Sequence, residues 1–211
     1  MSKGYTRHAD ATGIVIVFND FGWLASCTEF RKAMRRLIMC GMLAALLAPL
    51  PGSTLIQLSL DDMIQRSTSI VRGKAQQTSS AFHGSVIYTY YTIQVSENLK
   101  GPAAHQLEFG VPGGTSNGMQ QAVSGAPVLT PGKDYVLFLW TGKSGLTQVI
   151  GLSQGLFAVT ADANGVLQVV RAAASERMLN SSGQAVSDSD IQMTLSALRT
   201  RIQNVLSGGG Q

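Results

Sequence analysis

Glu97 and Glu108 flank Asn98-Leu99-Lys100-Gly101-Pro102, a turn segment that places both carboxylates near the ends of adjacent strands. Facing carboxylates can act as acid and base on a glycosidic bond when a cleft separates their pKa values. Solvated strand-end glutamates are the plainer reading of the same residues. His83 and His105 supply two of the three or four ligands a zinc site needs, and no HExxH-type spacing supplies the rest. Exposed loop histidines are therefore expected. Gly142-Lys143-Ser144 matches the end of a phosphate-binding loop, but Leu137 stands where that motif needs its first glycine. A hairpin turn is expected there instead. Asp162-Ala163-Asn164-Gly165 opens like a calcium loop without the later bidentate glutamate, and Asn-Gly predicts a tight hairpin turn. No Gly-x-Ser-x-Gly elbow marks a nucleophilic serine. No catalytic residue, metal or cofactor is assigned, and the missing motifs weigh toward a binding module rather than an enzyme.

Two surfaces are candidates for binding. Tyr88 and Tyr90 project from one face of the same expected strand, and rigid aromatic pairs anchor partners or stack on sugars. Packing against a cross-strand neighbour is the alternative. The stretch from Gly110 to Gly132 is long, rich in Gly and Pro, and of a length that is usually functional. Within it Gly113, Gly114, Ser116 and Asn117 are the ligand-binding candidates.

The elements that position these residues are short. Ser59-Leu60-Asp61-Asp62 has capping-box spacing and predicts a helix over 60–67. Residues 69–76 predict a strand, with Gly73 marking a bulge. From Ile87 to Val95 the alternation puts Ile87, Thr89, Tyr91, Ile93 and Val95 on one face and the two tyrosines on the other. Leu107, Phe109 and Val111 predict the next strand. Tyr135 to Trp140 is apolar on both faces and predicts a central strand covered on both sides. Further strands are expected at 146–152, 156–160 and 166–170, with a short one near Met119. Ser187-Asp188-Ser189-Asp190 reads as a second cap, opening an amphipathic helix over 187–207. The pattern is mainly β, a small barrel of about six or seven strands with a short helix before it and a longer one after.

The first fifty residues read as targeting. Met34-Arg35-Arg36, the uncharged run Leu37 to Leu50, and Pro51-Gly52-Ser53 have the layout of a secretory signal peptide. The apolar run is shorter than the roughly 20 residues a span needs. The organisation expected is a leader extension or mis-assigned start over 1–33 and a signal peptide over 34–53. A β domain over 54–171, a linker over 172–186, the helix over 187–207 and a tail over 208–211 follow.

This division explains the charge. The 211 residues carry a net +4, which on its own suggests a nucleic-acid partner. Residues 1–53 hold six basic and three acidic side chains, and residues 54–211 hold ten and nine. The part beyond the leader is almost neutral, so no electrostatic argument for nucleic acid remains. Both cysteines, Cys27 and Cys40, also lie in the leader. An exported chain of this kind has neither a disulfide framework nor a thiolate metal site.

Ser69-Ile70-Val71-Arg72-Gly73-Lys74-Ala75, Ile87 to Val95, Asn98-Leu99-Lys100-Gly101 and Pro131 to Leu139 together resemble a group of uncharacterised exported bacterial proteins. These are distantly similar to the netrin-like, tissue-inhibitor-of-metalloproteinase type of OB barrel. The resemblance covers about residues 59–171 and implies an OB-like fold with a binding role. Inhibitors of that type reach the protease zinc through an amino-terminal cysteine, which this chain lacks beyond its leader, so that mechanism does not carry over. The expectation is an exported, non-enzymatic binding domain for an extracellular or envelope protein or glycan, with no membrane span after signal cleavage. An envelope glycan hydrolase using carboxylates, or a protease-inhibitor-like module, is the alternative.

Overall fold

A computed structural model describes residues 54–208, so the leader and signal peptide assigned to 1–53 lie outside the described residues. The described chain is mainly β. It opens with β1 (Thr54–Ile56) and α1 (Leu60–Arg66). A long hairpin follows, β2 (Ser69–His83) and β3 (Val86–Lys100), and then β4 (Gln106–Pro112). Next come the small hairpin β5 (Gly114–Ser116) and β6 (Met119–Gln121), then β7 (Asp134–Thr141) and β8 (Thr147–Val149). The chain finishes with β9 (Leu156–Ala161), β10 (Leu167–Arg171), β11 (Arg177–Leu179), β12 (Ala185–Val186), β13 (Ile191–Thr194) and α2 (Leu195–Gly208).

The expected cap forms at α1. The Ser59 hydroxyl accepts from the Asp62 N–H at 3.0 Å, and the Asp62 carboxylate accepts from the Ser59 N–H at 3.3 Å. This exchange satisfies two donors that a helix start leaves free. At the other end of α1, Lys100 Nζ donates to the carbonyls of Ile64 and Gln65 at 2.7 and 2.9 Å. A cation there complements the helix dipole and ties the end of β3 to the helix.

The main sheet runs β13-β10-β9-β7-β2-β3-β4, all antiparallel, with β8 also paired to β7. It is open, with β13 and β4 at its two ends. β7 holds the centre, because Tyr135–Leu137 pair with β9 while Leu139–Thr141 pair with β8. Its alternation serves two cores. Tyr135, Leu137 and Leu139 pack with Tyr91, Ile93 and Phe109 on one side. Val136 and Phe138 pack with Met63 and Ile64 of α1 and with Leu195, Leu198 and Ile202 of α2 on the other. The sequence reading of a strand covered on both faces is met.

Gly73 sits at a shift in the β2–β3 register, and a Cβ there would collide with the Gln94 carbonyl oxygen. The bulge expected at this glycine is present, and close backbone approach is its physical reason.

Three expectations are corrected. The segment 172–186 is not a plain linker: β11 pairs β1 in parallel and β12 antiparallel, forming a separate three-stranded sheet. The helix expected over 187–207 begins only at Leu195, because Ile191–Thr194 are drawn into a ladder with Gln168–Arg171. Asp188, expected in the first turn of that helix, instead accepts from Arg171 Nη2 at 2.9 Å, with both side chains withdrawn from solvent. Tertiary pairing and a buried partner override the local helical pattern at both places.

Candidate functional site

The β3–β4 register builds the site. Pairing about Lys100 sets Tyr88 opposite Pro112, Tyr90 opposite Gly110 and Thr92 opposite Glu108. Tyr88 and Tyr90 share the face away from the Tyr91 core, half-buried, with ring centroids 6.5 Å apart and planes tilted by 42°. The position opposite Tyr90, Gly110, leaves little space for a side chain. A Cβ on Gly110 would lie 3.1 Å from Tyr88 Cδ1 and 3.2 Å from Leu146 Cδ1, so both side chains close over the position. His83, at the end of β2, meets Tyr88 edge-on at 6.0 Å.

Around this floor lies a cleft of about 260 Å³. Its walls are His83, Tyr90, Glu108, Phe109 and Gly110 on the β-sheet side and Ser144, Gly145, Leu146 and Thr147 on the other. The second wall is the turn joining β7 to β8, closed by Gly142 N–H to the Leu146 carbonyl at 2.9 Å and by Gly145 N–H to the Gly142 carbonyl at 3.0 Å. The Gly142-Lys143-Ser144 motif is thus a hairpin turn, as read from the sequence, with Gly145 at φ +81. Glu108 is the one carboxylate in the lining, and it is exposed.

Of the expected binding residues, the structure brings together Tyr88 and Tyr90. Gly114, Ser116 and Asn117 belong to the β5–β6 hairpin, which Gly113 leads into and whose tip is Asn117 (φ +51) and Gly118 (φ +74). They do not line the cleft. Gly114 lies so close to β2 and β3 that a Cβ would meet Thr89 Oγ1 at 2.5 Å and Ser80 Oγ at 2.7 Å. Thr89 Oγ1 donates to the Gly113 carbonyl at 2.8 Å, and Gln121 Oε1 accepts from the Ile87 N–H at 2.7 Å. These glycines therefore seat the hairpin on the sheet.

Glu97 and Glu108 do not face each other. Glu97 is paired in register with Arg72 of β2, while Glu108 opposes Thr92. The Glu97 carboxylate is held by Arg199 of α2 through two hydrogen bonds of 2.6 and 2.7 Å. His105 is exposed in the loop before β4, and His83 is exposed at the cleft rim. Among the described residues no three His, Cys, Asp or Glu side chains gather as a metal site. The Asp162 turn is a hairpin. Its Oδ1 accepts from the Val166 and Asn164 N–H groups, both at 2.9 Å, and these bonds hold the Asp162 carboxyl below the usual range.

His83, Glu108 and the 144–147 turn were each weighed separately in the sequence, and their grouping with the tyrosines is what sequence reasoning missed. The local signal for Glu108 was available, since folding the chain about Lys100 sets Glu108 two residues from Gly110 on the tyrosine face. The turn at 144–147 joins through a contact between distant segments, and no local pattern announces it. No family model, no curated protein and no solved structure matches the chain. No helix among the described residues is long and apolar enough to cross a membrane.

Proposed function

We propose that this chain is an exported, non-enzymatic binding module for an extracellular or envelope protein or glycan. The observation that carries this reading is the convergence of Tyr90, His83 and Glu108 on one shallow cleft, above a strand that ends its sheet. Aromatic rings beside a few polar groups are the chemistry of recognition surfaces. In this reading β7, β2, β3, β4 and β8 form a partly open OB-like barrel, in keeping with the resemblance noted in the sequence. The alternative of a glycan hydrolase has less support, because Glu97 is engaged by Arg199 and lies five residues along β3 from Thr92, the partner of Glu108. Immobilised protein is expected to retain defined material from the native envelope and to lose it when Tyr90 becomes Ala. Failure to retain anything across envelope fractions would count against the module.

A further inference from the structure

The cleft contains an unused main-chain edge. Val95 N–H donates to the His105 carbonyl and Gly113 N–H to the Ile87 carbonyl, so odd-numbered residues of β4 exchange their backbone bonds with β3. In an antiparallel ladder the alternate residues then turn their N–H and C=O away from the partner strand. In β4 these are Gln106, Glu108 and Gly110, on the side where the sheet stops; Gln106 and Glu108 are exposed, while Gly110 is buried beneath Leu146. The same parity applied to β8 turns the backbone of Thr147 and Val149 away from β7, because the Gly142 N–H bonds to Leu146. β4 and β8 thus lie beside one another without a ladder. Two cavities lie along this seam, one of about 60 Å³ lined by Val111 and Val149 among others and a larger one of about 260 Å³ lined by Glu108 and Ser144 among others.

Resting on the binding-module reading, we infer that the wide end of this seam takes an extended peptide segment, added as a strand to β4, with a basic side chain placed beside Glu108. Three features select this occupant. The free edge offers alternating donors and acceptors, which is what an extended backbone matches. A residue paired with Glu108 has its side chain on the same face as the Glu108 carboxylate and the Tyr90 ring. Glu108 is the one carboxylate in the lining, with no lysine or arginine beside it there, and makes no ion pair among the described residues; Lys143, in the facing turn, is not part of the lining. A lysine or arginine there gains a carboxylate and an aromatic ring together. Pro112 lacks an N–H and ends the usable edge.

The test uses the full chain and the peptide acetyl-Thr-Val-Lys-Val-Thr-amide, followed by fluorescence anisotropy and by amide hydrogen exchange. Saturable binding is expected, with exchange at the Gln106 and Glu108 amides slowed on the order of tenfold and Leu107 and Phe109 unchanged. Exchanging the peptide lysine for Glu is expected to weaken binding about 5–20-fold, and Glu108→Gln about 2–5-fold. N-methylation at alternate peptide bonds is expected to weaken it about tenfold. Binding that ignores N-methylation, or leaves the Gln106 and Glu108 amides unprotected, overturns strand addition. A self-associated dimer that excludes the peptide overturns it as well. If the peptide fails while envelope glycan is still retained through Tyr90, strand addition falls and the binding module stands.

Discussion

Arg171 Nη2 donates to Asp188 Oδ1 at 2.9 Å, and the two side chains keep only 5% and 3% of their exposure. The same Arg nitrogen reaches the Ser189 carbonyl at 3.0 Å, and the second Asp188 oxygen accepts from the Ala174 N–H at 2.9 Å. One ion pair therefore pins both ends of the segment that carries β11 and β12. Removing one partner leaves a buried charge, which costs about 3–5 kcal/mol, whereas replacing both costs much less. Asp188→Ala is expected to lower stability by about that amount, and Arg171→Met with Asp188→Leu by clearly less. Urea titration of the three proteins measures it, and equal losses would contradict the clamp.

The same carboxylate predicts an acid response. Burial alone would raise the Asp188 pKa, but the Ala174 N–H and the hydrogen bond and charge of Arg171 outweigh it, so it lies below the ordinary carboxylate range. A lowered folded pKa contributes stability that is complete above the unfolded value of about 3.9 and is lost as pH falls through the folded one. The urea midpoint is therefore expected to hold from pH 7 to 5 and to drop below about pH 4. Asp188→Asn starts lower and falls less steeply over that range.

Gln154 stands in for a strand. Its Oε1 accepts from the Leu58 N–H at 2.8 Å and its Nε2 donates to the Ile56 carbonyl at 3.0 Å, on the edge of β1 away from β11. The side chain is buried, so water cannot replace it. Gln154→Leu leaves two backbone groups unpaired and is expected to cost about 2–5 kcal/mol. Loss of exchange protection should begin at Leu58, and an unchanged melting midpoint would exclude this role.

Much of this architecture follows from local chemistry, and the exceptions share one cause. The Ser59 cap, the Gly73 bulge, the Asp162 turn and the two-faced β7 are each set by a few neighbouring residues. Asn117-Gly118 was equally legible as a hairpin turn, yet it is hidden within a stretch whose glycines suggest irregular loop. β13 and the Arg171–Asp188 pair were not legible, because Ile191–Thr194 have helical spacing until β10 is alongside. The site divides the same way: Tyr88, Tyr90 and Glu108 come from one foldable hairpin, while Leu146 arrives from distant sequence.

The hairpin glycines distinguish seating from binding. Gly114 has φ +136 and no room for a Cβ, so Gly114→Ala strains the backbone and drives a methyl into Thr89 and Ser80. A loss of about 1–3 kcal/mol is expected from overpacking. Asn117→Ala disturbs only an exposed turn, with an effect near 1 kcal/mol. Thermal denaturation ranks the two, and ligand retention at the Tyr90 cleft should survive Asn117→Ala unchanged.

Glu97 and Glu108 offer the last separation, between a carboxylate that holds the fold and one that meets a ligand. Glu97 joins β3 to α2 through the paired bonds of Arg199, with the two side chains 26% and 39% exposed. A partly exposed, bidentate pair of this kind is worth up to about 1 kcal/mol. Glu97→Gln is therefore expected to lower the melting midpoint slightly and raise amide exchange in α2, with binding untouched. Glu108 has no such partner among the described residues, and Glu108→Gln should leave the midpoint where it is while changing what the cleft retains. The opposite assignment, with Glu97 governing binding and Glu108 stability, would mean that the functional face lies under α2 instead of beside Tyr90.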